Sequence, residues 1–338
     1  MATPIKIIAT HLNPHLDEIA GIWLLKKFAG IIAEIQYWDS DKIKKSPEEY
    51  EAEGILLLGI GGGKFDEHPS AQNGRKEGEC CATLVAKHLG VEEDLALEKI
   101  LQFVVNNDLK AASHPFDLAY IVKLLHQQFP ENPEKVLEWA FVGLEAKYQE
   151  QLQFFTTTKD EFFKKAFIET VVVRERTLNV VTIESDDPFL SKFARSSYGC
   201  NAAVVIQQRS SGNVQIFPNK KFRIDLHDIA QIIRAEEQKC KGKIITTDWK
   251  VLASEGTVDG AEEWFFHEEG QLLLNGSITA PNVPPTRIPL ERIQELAKIG
   301  IAKGMFQLHC NPQTCWECPW YKWGLHRCRK LRFERFHK

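Results

Sequence analysis

The 338-residue chain has no apolar run approaching the ~18–20 residues that span a bilayer. Membrane-spanning helices are therefore not expected, and neither is a membrane partner. The opening stretch, MATPIKIIATHLNPHLDE, has a short apolar run and no small-residue cleavage site, so no secretory signal is expected. No internal repeat and no low-complexity segment stands out, which argues against a repeat array or a disordered chain. A strong excess of one charge is missing too. The formal net charge of −4 announces no polyanion partner for the chain as a whole.

What is present suits a folded protein. An apolar fraction of 43% and a charged fraction of 26% are ordinary for globular chains, and the length fits two domains with a small appendage. Charge is unevenly placed, however. From Tyr321 onward, Lys322, Arg327, Arg329, Lys330, Arg332, Arg335 and Lys338 face only Glu334, with Trp316, Trp320, Tyr321 and Trp323 nearby. Aromatics among cations suit single-stranded nucleic acid, whose bases stack and whose phosphates need neutralising. The same segment holds Cys310, Cys315, Cys318 and Cys328, whereas Cys80, Cys81, Cys200 and Cys240 are scattered. Without an export signal such a cluster reads as a metal site before it reads as disulfides, and the expected compartment is cytoplasmic. Four thiolates can close a tetrahedral shell around zinc. The x4, x2 spacing of the first three, with Pro319 after the third, equally suits an iron–sulfur cluster such as 4Fe–4S.

Periodicity gives the fold class, α/β. Compact apolar runs at Ile5–Ala9, Ala33–Trp38 and Gly54–Ile60 read as strands buried on both faces, and Asp17–Phe28, Ala82–Leu89 and Leu95–Asn106 as helices. In the first helix Glu18, Lys26 and Lys27 are expected on the wet side. Together these give a mostly parallel sheet with flanking helices over residues 1–132. Residues 133–169 read as a helical linker with a break near Thr156–Thr158. A second, α+β domain follows over 170–301, with hairpins at Glu169–Glu184, Asn201–Pro218 and Trp264–Leu274 and helices at Asp225–Lys239 and Pro289–Ile301. The grouped Trp264, Phe265 and Phe266 read as core. Residues 302–338 form the Cys-rich, basic, aromatic tail.

Three polar clusters follow these elements. His11, His15 and Asp17 gather at the end of the first strand, where parallel sheets place ligands. Two imidazoles and a carboxylate on one short loop can converge on a divalent ion. After the third strand comes Gly59-Ile60-Gly61-Gly62-Gly63-Lys64-Phe65-Asp66-Glu67-His68, whose glycines let the backbone approach a ligand closely. Asp108 ends the helix bearing Val104-Val105-Asn106-Asn107.

The run Thr10–Asp17 resembles the first motif of the DHH phosphoesterase superfamily, His-x-x-Pro-Asp-x-Asp, and Phe65-Asp66-Glu67-His68 resembles a variant of its Asp-His-His signature. Thr10–Glu18, Gly59–Gly62, Phe65–His68 and Asn107-Asp108 are most similar to the melanocyte-proliferating-gene-type exonuclease branch. The likeness covers about the first third of the chain. It implies divalent ions, usually manganese (Mn2+, with Mg2+ as substitute), and hydrolysis of phosphoester bonds. It further implies that His11, His15, Asp17, Glu67 and Asp108 bind metal, that His68 faces the substrate phosphate, and that Asp66 orients its neighbours or touches the metal shell. Two positions depart from the pattern. The family's bridging aspartate falls on Gly59, and its first signature histidine on Glu67. Members carry a substrate-binding domain behind the linker. In that slot Arg209, Lys220 and Lys221 are the expected phosphate-holding residues, Arg209 through a bidentate guanidinium.

The expected activity is therefore a metal-dependent phosphoesterase cutting phosphodiester bonds of short or single-stranded oligonucleotides, with 3′-to-5′ exonuclease action as one form. The alternatives are hydrolysis of a small phosphorylated metabolite or cyclic dinucleotide, and nucleic-acid binding on a scaffold that has lost catalysis. Oligomeric state is left open.

Overall fold

In the computed structural model the first apolar run becomes β1 (Ile7–His11), the central strand of a three-stranded parallel sheet. Helix α1 (Leu16–Phe28) carries the chain over to β2 (Glu34–Trp38), and α2 (Pro47–Ala52) carries it to β3 (Ile55–Leu57). The order is β2-β1-β3, with Ile7 opposite both Glu34 and Ile55. Ile8 and Ala9 are fully buried, as a middle strand covered on both faces requires. The structure describes residues 3–68, 76–173, 176–243, 245–246, 248–277 and 279–301. The cysteine cluster and basic aromatic tail at 302–338 lie outside the described residues.

Four more helices complete this unit, Met1–Phe155: α3 (Cys81–Leu89), α4 (Glu98–Lys110), α5 (Leu118–Gln128) and α6 (Pro133–Gln153). They surround α1, so every residue from Leu16 to Leu25 is buried and the helix has no wet face over that stretch. Lys26 is exposed as expected, but Glu18 is buried, which corrects its assignment to the solvent side. The approach of α1 to α3 depends on Gly21, where a Cβ would lie 3.1 Å from Cys81 Sγ. Expected as linker, α6 instead belongs to this core. Val136, Ala140, Leu144 and Tyr148 recur at helical spacing, and such a stripe is stable only against apolar neighbours. Trp23 Nε1 and Lys27 Nζ hold its polar edge through Glu145, at 3.2 and 2.8 Å.

The break near Thr156–Thr158 is a π turn, Phe154–Thr158, and the second unit is Thr156–Lys338. It contains α7 (Lys159–Lys165), β4 (Phe167–Val173), β5 (Arg176–Glu184), α8 (Leu190–Arg195), β6 (Val204–Gln208), β7 (Val214–Pro218), α9 (His227–Cys240), α10 (Trp249–Leu252), β8 (Trp264–His267), β9 (Leu272–Asn275) and α11 (Leu290–Ile301). The sheet order is β4-β5-β6-β7-β9-β8, antiparallel except at β5–β6. The three expected hairpins are β4–β5, β6–β7 and β8–β9. Val204, Ile206, Ile216, Trp264, Phe266 and Leu273 face Ile229 and Ile233 of α9 and Ile293 and Leu296 of α11. Trp264 and Phe266 are core as expected, while Phe265, on the opposite face of its strand, is 41% exposed.

Candidate metal centre

Three chain segments meet beyond the carboxyl ends of β1 and β3. The first is the β1–α1 turn. His15 caps α1, and its backbone N–H donates to Glu18 Oε2 at 2.6 Å, half of a capping box that fixes where Asp17 and Glu18 stand. The turn is held from behind by His126 of α5, whose Nε2 donates to the Pro14 carbonyl at 2.9 Å.

The second segment follows β3. Leu58 bridges Phe65 in parallel fashion, the Gly59 N–H donates to the Phe65 carbonyl at 3.1 Å, and the buried Phe65 ring packs edge-on against His88. This anchors the glycine-rich loop at both ends and delivers Asp66, Glu67 and His68 to the sheet edge. Asp66 works within the loop: Oδ2 accepts from Gly62 N–H at 2.8 Å, and Oδ1 lies 2.9 Å from His68 Nδ1. Lys76 latches the same loop, its Nζ donating to the carbonyls of Asp66 and Lys64 at 2.8 and 3.0 Å. The third segment is the last turn of α4, which brings Asp108.

Asp17, Glu67 and Asp108 offer ligand atoms that all lie within 4.8 Å of one another. The same holds for His15, Asp17 and Glu18, and for Asp66, Glu67 and His68. These groups are chained together, because Asp17 belongs to the first two and Glu67 to the first and third. His11 joins from the end of β1, its Nε2 3.7 Å from Glu18 Oε1. The seven residues expected at this edge from the sequence are thus brought together.

Electrostatics shows what the arrangement demands. Burial, then the charge of Asp17, holds the Glu18 carboxyl well above the usual carboxylate range, and the two acids share a hydrogen bond. Burial likewise raises Glu67; Asp17 and Asp108 add to it, while a backbone N–H and His68 oppose it. Burial lowers His11, with His15 and His68 adding repulsion against a backbone hydrogen bond to Gly59 and the charge of Asp66. Glu67 is 1% exposed, yet its Oε2 has no hydrogen-bond partner among the described residues. An orphaned buried acceptor of this kind costs roughly 1–3 kcal/mol, and more when charged. Buried carboxylates this close repel one another when charged, and a neighbouring cation relieves that repulsion. Hard oxygens with a few imidazoles match magnesium or manganese, so the donors present fit the ions that the resemblance implies.

Gly59 is the departure with the clearest structural reason. Its φ is +70°, and a Cβ there would stand 2.5 Å from Glu18 Cγ. The volume that a side chain at 59 would need is already filled by Glu18. Reading the sequence missed Glu18, Lys76 and His126. For Glu18 the available signal was the capping-box pattern at the start of α1; the other two had none.

In the second unit the expected phosphate-holding residues do not form one group. Arg209 lies at the β6–β7 turn, its Nε 3.3 Å from Asp186 Oδ1, and borders a cleft of about 290 Å³ lined by Phe217, Gln215, Leu272 and Leu274. Lys220 and Lys221 follow Pro218 at the other end of the hairpin, about 17 Å away by strand length.

No family model matches the chain, and no curated protein does. A crystal structure of an uncharacterized protein from Helicobacter pylori G27 is similar at 12% identity, spanning 88% of this chain and 99% of that one. Its TM-score of 0.29 is too low to carry an argument about fold or activity.

Proposed function

We propose that this protein is a metal-dependent phosphoesterase that hydrolyses phosphodiester bonds of short or single-stranded oligonucleotides. The observation that carries the reading is the chained set of acids and imidazoles, in which the buried Glu67 keeps a carboxylate oxygen with no hydrogen-bond partner among the described residues. His11, His15, Asp17, Glu67 and Asp108 would hold manganese or magnesium. Such ions, when bound, activate water and neutralise charge on a phosphate. The chain's own part is positioning. Asp66 braces His68 through Nδ1, so that this imidazole stands ready for a phosphate oxygen. Phe65 and Lys76 keep the loop that carries both from moving. In the second unit Arg209, at the rim of its cleft, is suited to hold a phosphate group.

The preference for a polymer rests on the basic aromatic tail; a small phosphorylated metabolite or a cyclic dinucleotide would use the same centre. The tail's cysteines would hold zinc or an iron–sulfur cluster. A binding-only role is favoured by one feature, the missing carboxylate at Gly59. The test is incubation of the purified protein with manganese and end-labelled short RNA and DNA beside Asp17→Ala. Turnover that disappears in the variant supports the enzyme, and tight binding without turnover supports the binding role.

A further inference from the structure

We infer that Glu18 is itself a ligand of the divalent-ion centre, supplying from α1 the carboxylate that Gly59 lacks at the end of β3. This rests on the metal-centre reading above and adds to it a residue to which the resemblance assigns no ligand role. The argument is one of shared space. A Cβ on Gly59 would meet Glu18 Cγ at 2.5 Å, Oε1 at 3.1 Å and Cδ at 3.3 Å, so the Glu18 carboxyl group fills the place beside β3 from which a side chain at 59 would otherwise extend. With Gly59 at φ +70°, a side chain there would require Glu18 to move. The chain carries a carboxylate at this point, delivered by a different element.

The surroundings fit a ligand better than a simple cap. Glu18 is 3% exposed, whereas a capping-box glutamate needs only one oxygen and works well at a wet surface. Its Oε2 takes the His15 N–H. Its Oε1 lies 3.7 Å from His11 Nε2, too long for a hydrogen bond, and the carboxyl group shares a hydrogen bond with Asp17. Glu18 offers an oxygen within 4.8 Å of donors on His15 and Asp17, and Asp17 links this group to Glu67. The buried Glu67 Oε2, without a hydrogen-bond partner among the described residues, is the independent sign that the cluster awaits a cation.

Glutamine separates the two roles, because it serves a capping box as well as glutamate but is a poor ligand for hard cations. Manganese bound per chain, measured by equilibrium dialysis with metal analysis, is compared for wild type, Glu18→Gln and the double variant Glu18→Ala/Gly59→Asp. Metal-free melting curves check folding. Glu18→Gln is expected to melt like wild type without metal and to lose a manganese ion or bind it at least ~10-fold more weakly. The double variant, which returns the carboxylate to β3, is expected to recover uptake. Wild-type stoichiometry and affinity in a folded Glu18→Gln would overturn the inference and leave the phosphoesterase reading standing. No manganese uptake by wild type would overturn both. Should Glu18→Gln not fold, the double variant decides: recovered uptake supports the exchange of carboxylates, and its absence in a folded protein overturns it.

Discussion

Glu67 in the first unit and Glu237 in the second are both almost completely buried, at 1% and 0% exposure, yet their surroundings differ in kind. Glu237, on α9, accepts from Trp264 Nε1 at 3.0 Å, from the Arg287 N–H at 3.0 Å and from Thr286 Oγ1. Its neighbour Arg234 is fully buried and surrounded by the carbonyls of Leu252, Ser254, Gly256 and Trp264. Burial pulls that guanidinium down to about 10. Both charged groups staple α9 to the loops around β8, and the protein itself supplies their partners. Glu67 instead sits among other acids and keeps an oxygen with no donor among the described residues. A buried charge whose partners are all in the fold is structural. One whose missing partner must come from outside marks a site.

That contrast can be broken by exchanging effects between the two units. The largest expected effect is on chemistry: Asp17→Ala should lower manganese-dependent turnover by ~10⁴-fold or more, about 5 kcal/mol of barrier, while the metal-free protein melts no lower than wild type. Turnover assays and melts in chelator check both halves. Next comes stability: Glu237→Ala strands three donors in the second core and should cost about 3–5 kcal/mol in denaturant unfolding. Glu67→Gln should cost far less in the same measurement without metal, yet remove most turnover. If the two glutamates showed equal stability losses, the distinction drawn here would fail.

A third expectation concerns pH. Glu18 and Glu67 have folded values raised mainly by burial. An acid raised in the folded state contributes stability that is complete below its unfolded value, near 4.5, and lost as the pH rises through the folded value. The metal-free protein should therefore lose melting temperature as pH rises from the mid-4s toward neutrality. The gain from added manganese should grow over the same range, since the ion replaces protons. Melts with chelator and with manganese check the sign, and a manganese gain that shrinks with rising pH would count against the centre. The smallest effect belongs to Arg209→Ala. Its exposed pairing with Asp186 adds little to stability, so a severalfold rise in KM with unchanged melting is expected.

Much of the first unit could be read from the sequence because its strands are short apolar runs and its candidate ligands follow them directly. His11, His15 and Asp17 come straight after β1, and Asp66–His68 after β3, so chain order alone puts them at one edge. Asp108 needed only the end of a helix. Glu18 could not be placed this way. A glutamate beside an apolar stripe reads as solvent-facing, and only the wrapping of α1 by other helices turns that face inward. For α6, length and charge suggested a connector, and the partners of its apolar stripe, such as Trp23, are over a hundred residues away. Arg209, Lys220 and Lys221 looked like one basic patch because they are close in sequence, but a hairpin of five-residue strands sends them to opposite ends.

The most direct measurement is anomalous diffraction at the manganese edge from crystals grown with excess manganese. Strong anomalous peaks at coordinating distance from Asp17 and Glu67, with Asp108 and His15 around them, are the predicted result. Crystals whose peaks lie elsewhere, with none beside these two carboxylates, would contradict the metal centre.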